Sequence, residues 1–320
     1  MGKLIIIVFA YNEEKTIRNV LSSIPREFVG VDSVEIAVID DGSTDDSLKN
    51  IAHGDVRIVR HEKNEGLGKS FQDGVWYALE HEADFLVSID GDGQFDPCDI
   101  PKLLQPLLQN RADFVTASRF IDKKYLPAMP QIKKWGNYGM SFFISWILRK
   151  KFYDVSCGFR AYNKEALLRL NLFGHFTYTQ EVFLDLGFKG LRMAEVPIQV
   201  KYFPERKSRV ASNLFSYSWR SFKIIFRAVR DYKPLKFFGG LGLAVFVLGI
   251  ILDIVMVWYY FATGKFTPYK IIGFTGAFLN LLGIIIFILG LLADMLYRIR
   301  IIQERVLYYE KSKRYKQRMP

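Results

Sequence analysis

The chain has 320 residues, half of them hydrophobic, and a formal net charge of +11. That length accommodates one large domain plus an appendage, and two cysteines without metal-type spacing, Cys98 and Cys157, exclude a disulfide framework and fit a reducing compartment. The charge is uneven: residues 1–200 hold 24 Lys and Arg against 27 acidic residues, 201–236 ten against two, and 297–320 eight against two. A nucleic-acid binder would spread its basic residues over the folded domain, so no nucleic-acid partner is expected.

Strand-like and helix-like runs alternate from the start. Lys3–Ala10 reads as a strand and Glu13–Ile24 as a helix; Lys3–Ala10 is too short for a cleavable signal peptide and runs straight into Asn12-Glu13-Glu14. Val34–Asp40 is a strand with a helix expected near Asp45–Ile51, and Val56–His61 a strand followed by a helix over Leu67–His81. Phe85–Asp90 is a strand, a helix is expected near Pro97–Gln109, and Asp113–Arg119 is a further strand. This rhythm predicts an α/β domain with a mostly parallel sheet and helices on both faces.

Ligands of such sheets bind beyond the carboxyl ends of the strands. Tyr11-Asn12-Glu13, Asp40-Asp41-Gly42-Ser43 and Asp90-Gly91-Asp92 all follow strand ends. Acidic clusters meeting at one edge require cations or hydrogen-bond donors to balance them. In extended backbone the side chains of Asp90, Asp92 and Gln94 point to one face, and two carboxylates with an amide oxygen suit Mg2+ or Mn2+. Gly91 and Gly93 leave room for a ligand at the backbone. Other nucleotide motifs break: no Gly-x-Gly-x-x-Gly follows the first strand, and Lys63 stands where a phosphate loop ending in Gly68-Lys69-Ser70 needs glycine.

Phe237–Ala262 and Ile271–Ala293 are apolar runs long enough to span a bilayer core of about 20 residues. Their link, residues 263–270, carries two charges while the outer flanks are basic, which places both termini and the N-terminal domain in the cytoplasm. Asp253 interrupts the first run and is expected near the membrane interface. Over Asn213–Lys236, Phe215, Trp219, Phe222, Phe226 and Val229 recur beside a stripe of Arg220, Lys223, Arg227 and Arg230, the pattern of a helix lying in the headgroup plane. A further apolar patch, Met140–Leu148, suits either lipid or an ordinary core. The expected organisation is a cytoplasmic domain over 1–205, a basic juxtamembrane segment over 206–236, two transmembrane helices over 237–296 and a basic cytoplasmic tail over 297–320.

Taken together, Phe9-Ala-Tyr-Asn-Glu-Glu14, Asp40-Asp-Gly-Ser-Thr-Asp45, Asn64-Glu-Gly-Leu-Gly68, Asp90-Gly-Asp-Gly-Gln94 and Ser118-Arg119 resemble the family 2 glycosyltransferases of GT-A fold. Ser156-Cys-Gly-Phe-Arg-Ala-Tyr162, Glu195-Val-Pro-Ile198 and the two spans are similar to the polyprenyl-phosphate branch, which includes dolichyl-phosphate mannose and glucose synthases. The resemblance implies inverting transfer of a hexose from a UDP- or GDP-sugar to a polyprenyl or dolichyl phosphate. It implies that Ala10, Tyr11, Glu13, Asp41, Asp90, Gly91 and Asp92 bind the nucleotide-sugar, and that Asp90, Asp92 and Gln94 surround Mg2+ or Mn2+. Asp92 and Arg119 are the implied catalytic residues. Arg119, Lys133 or Lys134, and Arg206 and Arg209 are the implied contacts to the acceptor phosphate.

The chain departs from the family pattern at two places. Phe95 stands where many relatives have His, and the usual Arg-x-x-Gly-x-Ser-Lys appears only as Arg206-Lys-Ser-Arg209. Asp154, Gln180 and Glu181 are candidates for sugar contacts or a general base. A hydroxyl acceptor on a lipid or glycan, a nucleotide-sugar sensor without turnover, and assembly into a homo-oligomer are the alternatives the residues leave open.

Overall fold

The structure, a computed structural model, describes residues 2–51, 54–126, 129–172, 178–201, 222–223, 226–227 and 229–317. It divides into two compact units, Met1–Ile225 with Leu307–Pro320, and Phe226–Val306. Of the juxtamembrane pattern over 213–236, Phe215, Trp219 and Arg220 lie outside the described residues, as do Arg206 and Arg209.

The first unit is built on seven strands: β1 (Lys3–Ala10), β2 (Ser33–Asp40), β3 (Val56–Arg60), β4 (Phe85–Asp90), β5 (Phe114–Ser118), β6 (Arg160–Asn163) and β7 (Met193–Pro197). Their order is β3-β2-β1-β4-β6-β5-β7. β1 is central, parallel to β2 and β4, and every residue from Leu4 to Ala10 is buried, as a continuous apolar strand covered on both faces must be. β6 runs antiparallel between β4 and β5. The chain entering β6 therefore arrives at the edge where the parallel strands end, and residues 154–159 lie between the ends of β4 and β5.

The helices of this unit are α1 (Ile17–Ser23), α2 (Leu67–Glu80), α3 (Ile100–Leu108), α4 (Gln131–Leu148), α5 (Lys164–Arg169) and α6 (Thr179–Phe188). α1 starts later than the sequence predicts, because Glu13–Thr16 form a turn that donates the Glu13 amide to Ser47 Oγ. No regular helix forms near Asp45–Ile51. Ser47 bonds back to Asp45 through both its amide and its hydroxyl, and the segment closes as successive turns.

Asp113, just before β5, ties three strands together. Its carboxylate accepts the Arg192 amide at 2.9 Å, Arg192 Nη2 at 2.7 Å and Asn163 Nδ2 at 2.9 Å. Hydrogen bonding to Arg192 holds the Asp113 carboxyl below its ordinary value of 3.8. The end of the last helix also belongs to this unit: Tyr315 Oη donates to the Glu82 carbonyl and to Asp84, Tyr308 Oη to Glu165, and Lys311 Nζ to the Leu170 carbonyl.

The second unit holds helix α7 (Pro234–Thr263) and most of α8 (Lys270–Gln317), each long and apolar enough to cross a bilayer. α7 ends at Gly264 in the left-handed region (φ 66°), whose amide returns to the Tyr260 carbonyl. Glycines let the two helices touch backbone to backbone. A Cβ on Gly242 would lie 2.8 Å from the Gly283 carbonyl oxygen, and one on Gly249 would lie 2.7 Å from that of Gly276. Beside this seam Asn280 Nδ2 donates to Asp253 Oδ2 at 2.5 Å. Asp253 is thus paired across the hairpin within one chain. Its place ten residues before the end of α7 puts it about 15 Å from that end.

Two outcomes are expected. Asp113→Asn lowers the thermal unfolding midpoint at pH 7. Because the folded-state carboxyl is more acidic than the unfolded one, the wild-type advantage is present above about pH 4 and closes as acid protonates Asp113; melts across pH 3–7 check this. Asn280→Ala weakens the hairpin by about 1 kcal/mol, and Gly249→Val by more, read as loss of helix–helix proximity in detergent unfolding.

Candidate active site

At the ends of β1 and β2 the loops are stitched by side chain to backbone bonds. Asn12, in the left-handed region (φ 54°), donates its amide to Ser43 Oγ at 2.9 Å and accepts the Thr44 amide at 2.8 Å. The Ala10 carbonyl accepts the Asp41 amide at 2.9 Å. The Asp41 side chain is buried and accepts the amides of Glu65 at 2.8 Å and Gly66 at 2.9 Å. His61 bridges two carboxylates, Nδ1 to Asp41 at 2.8 Å and Nε2 to Asp73 at 3.0 Å. Lys69 pairs with Asp73 one turn along α2. Gly42 (φ 73°) is required where the β2 loop meets this one, since a Cβ there would lie 2.5 Å from the Lys63 carbonyl carbon.

At the end of β4 the backbone turns instead of extending. β4 stops at Asp90, Gly93 takes φ 71°, and Asp92 Oδ1 accepts the Gln94 amide at 2.9 Å. The alternation expected of an extended Asp90, Asp92 and Gln94 is therefore replaced by a side-chain turn, because glycines on both sides of Asp92 permit it. Thr16 Oγ1 donates to the Gly91 carbonyl at 2.8 Å, joining this turn to the β1 loop. Asp90 stands directly over Gly158: a Cβ on that residue would lie 2.9 Å from Asp90 Oδ2 and 3.4 Å from Tyr178 Oη. Tyr178 is buried and stacked on Phe71, and burial, reinforced by the charge of Asp90, raises its phenol well above the ordinary value. Two hard carboxylate oxygen donors two residues apart would suit a divalent cation such as Mg2+ or Mn2+. Among the described residues no third His, Cys, Asp or Glu completes a set, so such an ion would keep open positions.

At the end of β5, Arg119 is held by Asp154. Nε donates to Oδ2 at 2.6 Å and Nη2 to Oδ1 at 2.9 Å, and the Arg119 amide reaches the same carboxylate at 3.1 Å. Nη2 also meets Ser156 Oγ, which donates to Asn137 Oδ1 on α4 at 2.8 Å. Asp154 is fully buried, and its backbone amide, with that of Tyr153, donates to Glu195. Burial raises the Glu195 carboxyl despite those amides. Burial also pushes the Cys157 thiol up to about 12, leaving it neutral. Asp154 spends its oxygens on Arg119 and Ser156, so its place as a candidate base is corrected to that of an anchor.

The parallel register brings Ala10, Tyr11, Glu13, Asp41, Asp90, Gly91, Asp92 and Arg119 to one edge of the sheet. Lys133 and Lys134 lie on the first turn of α4, and Gln180 is buried on α6 with Thr179 Oγ1 donating to it. Phe95 is buried against Phe159. Thr16, His61, Asp73 and Asn137 are working parts that sequence reasoning did not single out. Nothing in spacing marks a side chain whose partner lies on another loop.

Residues 5–170 match the family described as Glycosyl transferase family 2. The chain is 32% identical over 243 residues to the UDP-N-acetylglucosamine–dolichyl-phosphate N-acetylglucosaminyltransferase of Methanococcus voltae, covering 69% of this chain and 93% of that one. It is 26% identical to the undecaprenyl-phosphate mannosyltransferase of Micrococcus luteus, over 61% of this chain and 82% of the other. A match to the dodecaprenyl-phosphate galacturonate synthase of Rhizobium johnstonii, 24% identical, covers 92% of this chain and 88% of that one. Among solved structures, glucosyl-3-phosphoglycerate synthase from Mycobacterium tuberculosis, in complex with Mn2+, UDP and phosphoglyceric acid, shares the fold with a TM-score of 0.55 at 21% identity, over 71% of this chain and 78% of that one. The sheet is thus of GT-A type, and the chain is an enzyme of glycosyl transferase family 2.

Proposed function

We propose that this enzyme transfers a hexose from a nucleotide-sugar to a polyprenyl phosphate at the cytoplasmic face of a membrane, with inversion at the anomeric carbon. The observation that carries the reading is the meeting of the Asp90–Asp92 turn and the Asp154-held Arg119 at one sheet edge, in a chain with two helices long enough to span a bilayer. Support comes from relatives named as dolichyl-, undecaprenyl- and dodecaprenyl-phosphate transferases.

In this reading a phosphate oxygen of the acceptor forms the bond to the anomeric carbon, and the bond from that carbon to the nucleoside diphosphate breaks. A phosphate monoester has a second pKa near ~6, so its oxygen is already ionised and no general base has to remove a proton. This agrees with Asp154 being occupied by Arg119. Asp41, and the loops it holds, shape the nucleotide side, while Asp90 and Asp92 face the diphosphate. A bound Mg2+ or Mn2+ supplies charge neutralisation on the leaving group; the structural neighbour with Mn2+ and UDP supports metal use of this kind. Arg119, fixed by two bonds to Asp154, meets the acceptor phosphate with its orientation already set. Lys133, Lys134, Arg206 and Arg209 are the further cations proposed for that phosphate.

The assay is formation of labelled glycolipid from UDP- and GDP-hexoses with polyprenyl phosphate and purified protein. EDTA is expected to abolish it and Mg2+ or Mn2+ to restore it. Asp92→Asn is expected to lower kcat by about 10² or more; full turnover by that variant, or transfer only to hydroxyl lipids, would refute the reading. Arg119→Lys retains the charge but loses the two-point hold. It should lower kcat/KM for the lipid phosphate about tenfold, with little change in donor binding, as measured by varying each substrate in turn.

A further inference from the structure

Given that Asp41 faces the nucleotide, as the proposed function has it, we infer that the donor carries a uracil-type base, which offers a single ring N–H, and that His61 enforces this choice through Asp41. An ionised carboxylate only accepts, and its two oxygens offer about four positions between them. Asp41 has three of them filled. Oδ1 accepts His61 Nδ1 at 2.8 Å and the Glu65 amide at 2.8 Å, and Oδ2 accepts the Gly66 amide at 2.9 Å. Among the described residues nothing else donates to this side chain, so one position remains, on Oδ2.

The filled positions are fixed by their surroundings. β3 ends at Arg60, and the next amide, that of His61, donates to the Asp40 carbonyl at 2.9 Å, which sets the ring beside Asp41. Nε2 lies 3.0 Å from Asp73 Oδ2, and Asp73 is paired in turn with Lys69 Nζ at 2.5 Å. The ring is held at both nitrogens with 9% of its side chain exposed. Turning it away from Oδ1 breaks both contacts at once.

One remaining acceptor suits one kind of base edge. Uracil presents a single N–H, at N3, between two carbonyl oxygens. Guanine presents two adjacent N–H groups, at N1 and N2, and pairs with a carboxylate through both oxygens. At Asp41 only one of the two would be met. Adenine and cytosine place a ring-nitrogen acceptor beside the amino group, and that acceptor would lie against the carboxylate charge. The Asp41 side chain is only 7% exposed, so an N–H left over there loses its hydration and gains no partner. Sites discriminate most strongly by what they leave unpaired. His61 is thus a positioning residue. It touches Asp41 and closes the oxygen that guanine needs.

The test is calorimetric binding of UDP, GDP, ADP and CDP to the full-length protein in detergent with Mg2+, so that neither lipid nor turnover enters. UDP is expected to bind at least about tenfold more tightly than each of the other three. His61→Phe keeps a ring and removes the donor, which frees a position on Oδ1. It is expected to narrow the ratio of UDP to GDP affinity at least about threefold, even where both affinities fall. His61→Asn keeps an N–H for Oδ1 and should retain the wild-type ratio. GDP bound as tightly as UDP by the wild type would overturn the assignment of the base while leaving hexose transfer to a polyprenyl phosphate standing. A ratio unmoved by His61→Phe, or lost equally in His61→Asn, would overturn the role of His61. No binding of any of the four would overturn both the assignment and the reading it rests on.

Discussion

Backbone amides beyond the end of a parallel sheet have no ladder to join, and in this protein the side chains of neighbouring loops take its place. Ser43 and Ser47 accept amides from the β1 loop, Asp41 accepts two from the loop before α2, and Thr16 reaches the Gly91 carbonyl. Each bond links segments far apart in sequence. The motifs therefore form one connected body, and the placement of Asp90 and Asp92 depends on residues that need not touch a substrate.

The same edge concentrates negative charge, and the fold answers it unevenly. Asp41 and Asp73 share His61, and Asp73 also holds Lys69. Asp154 is matched by Arg119 in a buried two-point pair. Breaking such a pair from one side strands the other charge, at a cost of about 3–5 kcal/mol. This gives the Arg119 position a structural role beside the chemical one proposed for it. The antiparallel β6 is what makes the pairing possible, because it delivers Asp154 and Gly158 between strands that end in the same direction.

In the second unit the packing rule changes. Lipid gives apolar side chains no reason to prefer protein, so close backbone approach and polar pairs hold helices together. Glycines spaced seven apart, Gly242 and Gly249 on one helix and Gly276, Gly283 and Gly290 on the other, provide that approach. Asp253 finds Asn280 as its partner. An acidic residue that reads from sequence as a defect in a span is part of the seam.

Much of this protein is decided by local pattern. The apolar runs define β1, β2 and β4 almost to the residue because burial on both faces leaves no other period, and the motifs after them fall at one sheet edge because parallel strands all end there. Length and hydropathy likewise mark two helices long and apolar enough to cross a bilayer. What the linear order does not contain is pairing. The union of Arg119 with Asp154, the hold of Asp41 on the Glu65 and Gly66 amides, and the reach of Thr16 to Gly91 each depend on partners two dozen or more residues away. Hydrogen bonds and buried charges are settled by distance in space, and only the folded chain determines that distance.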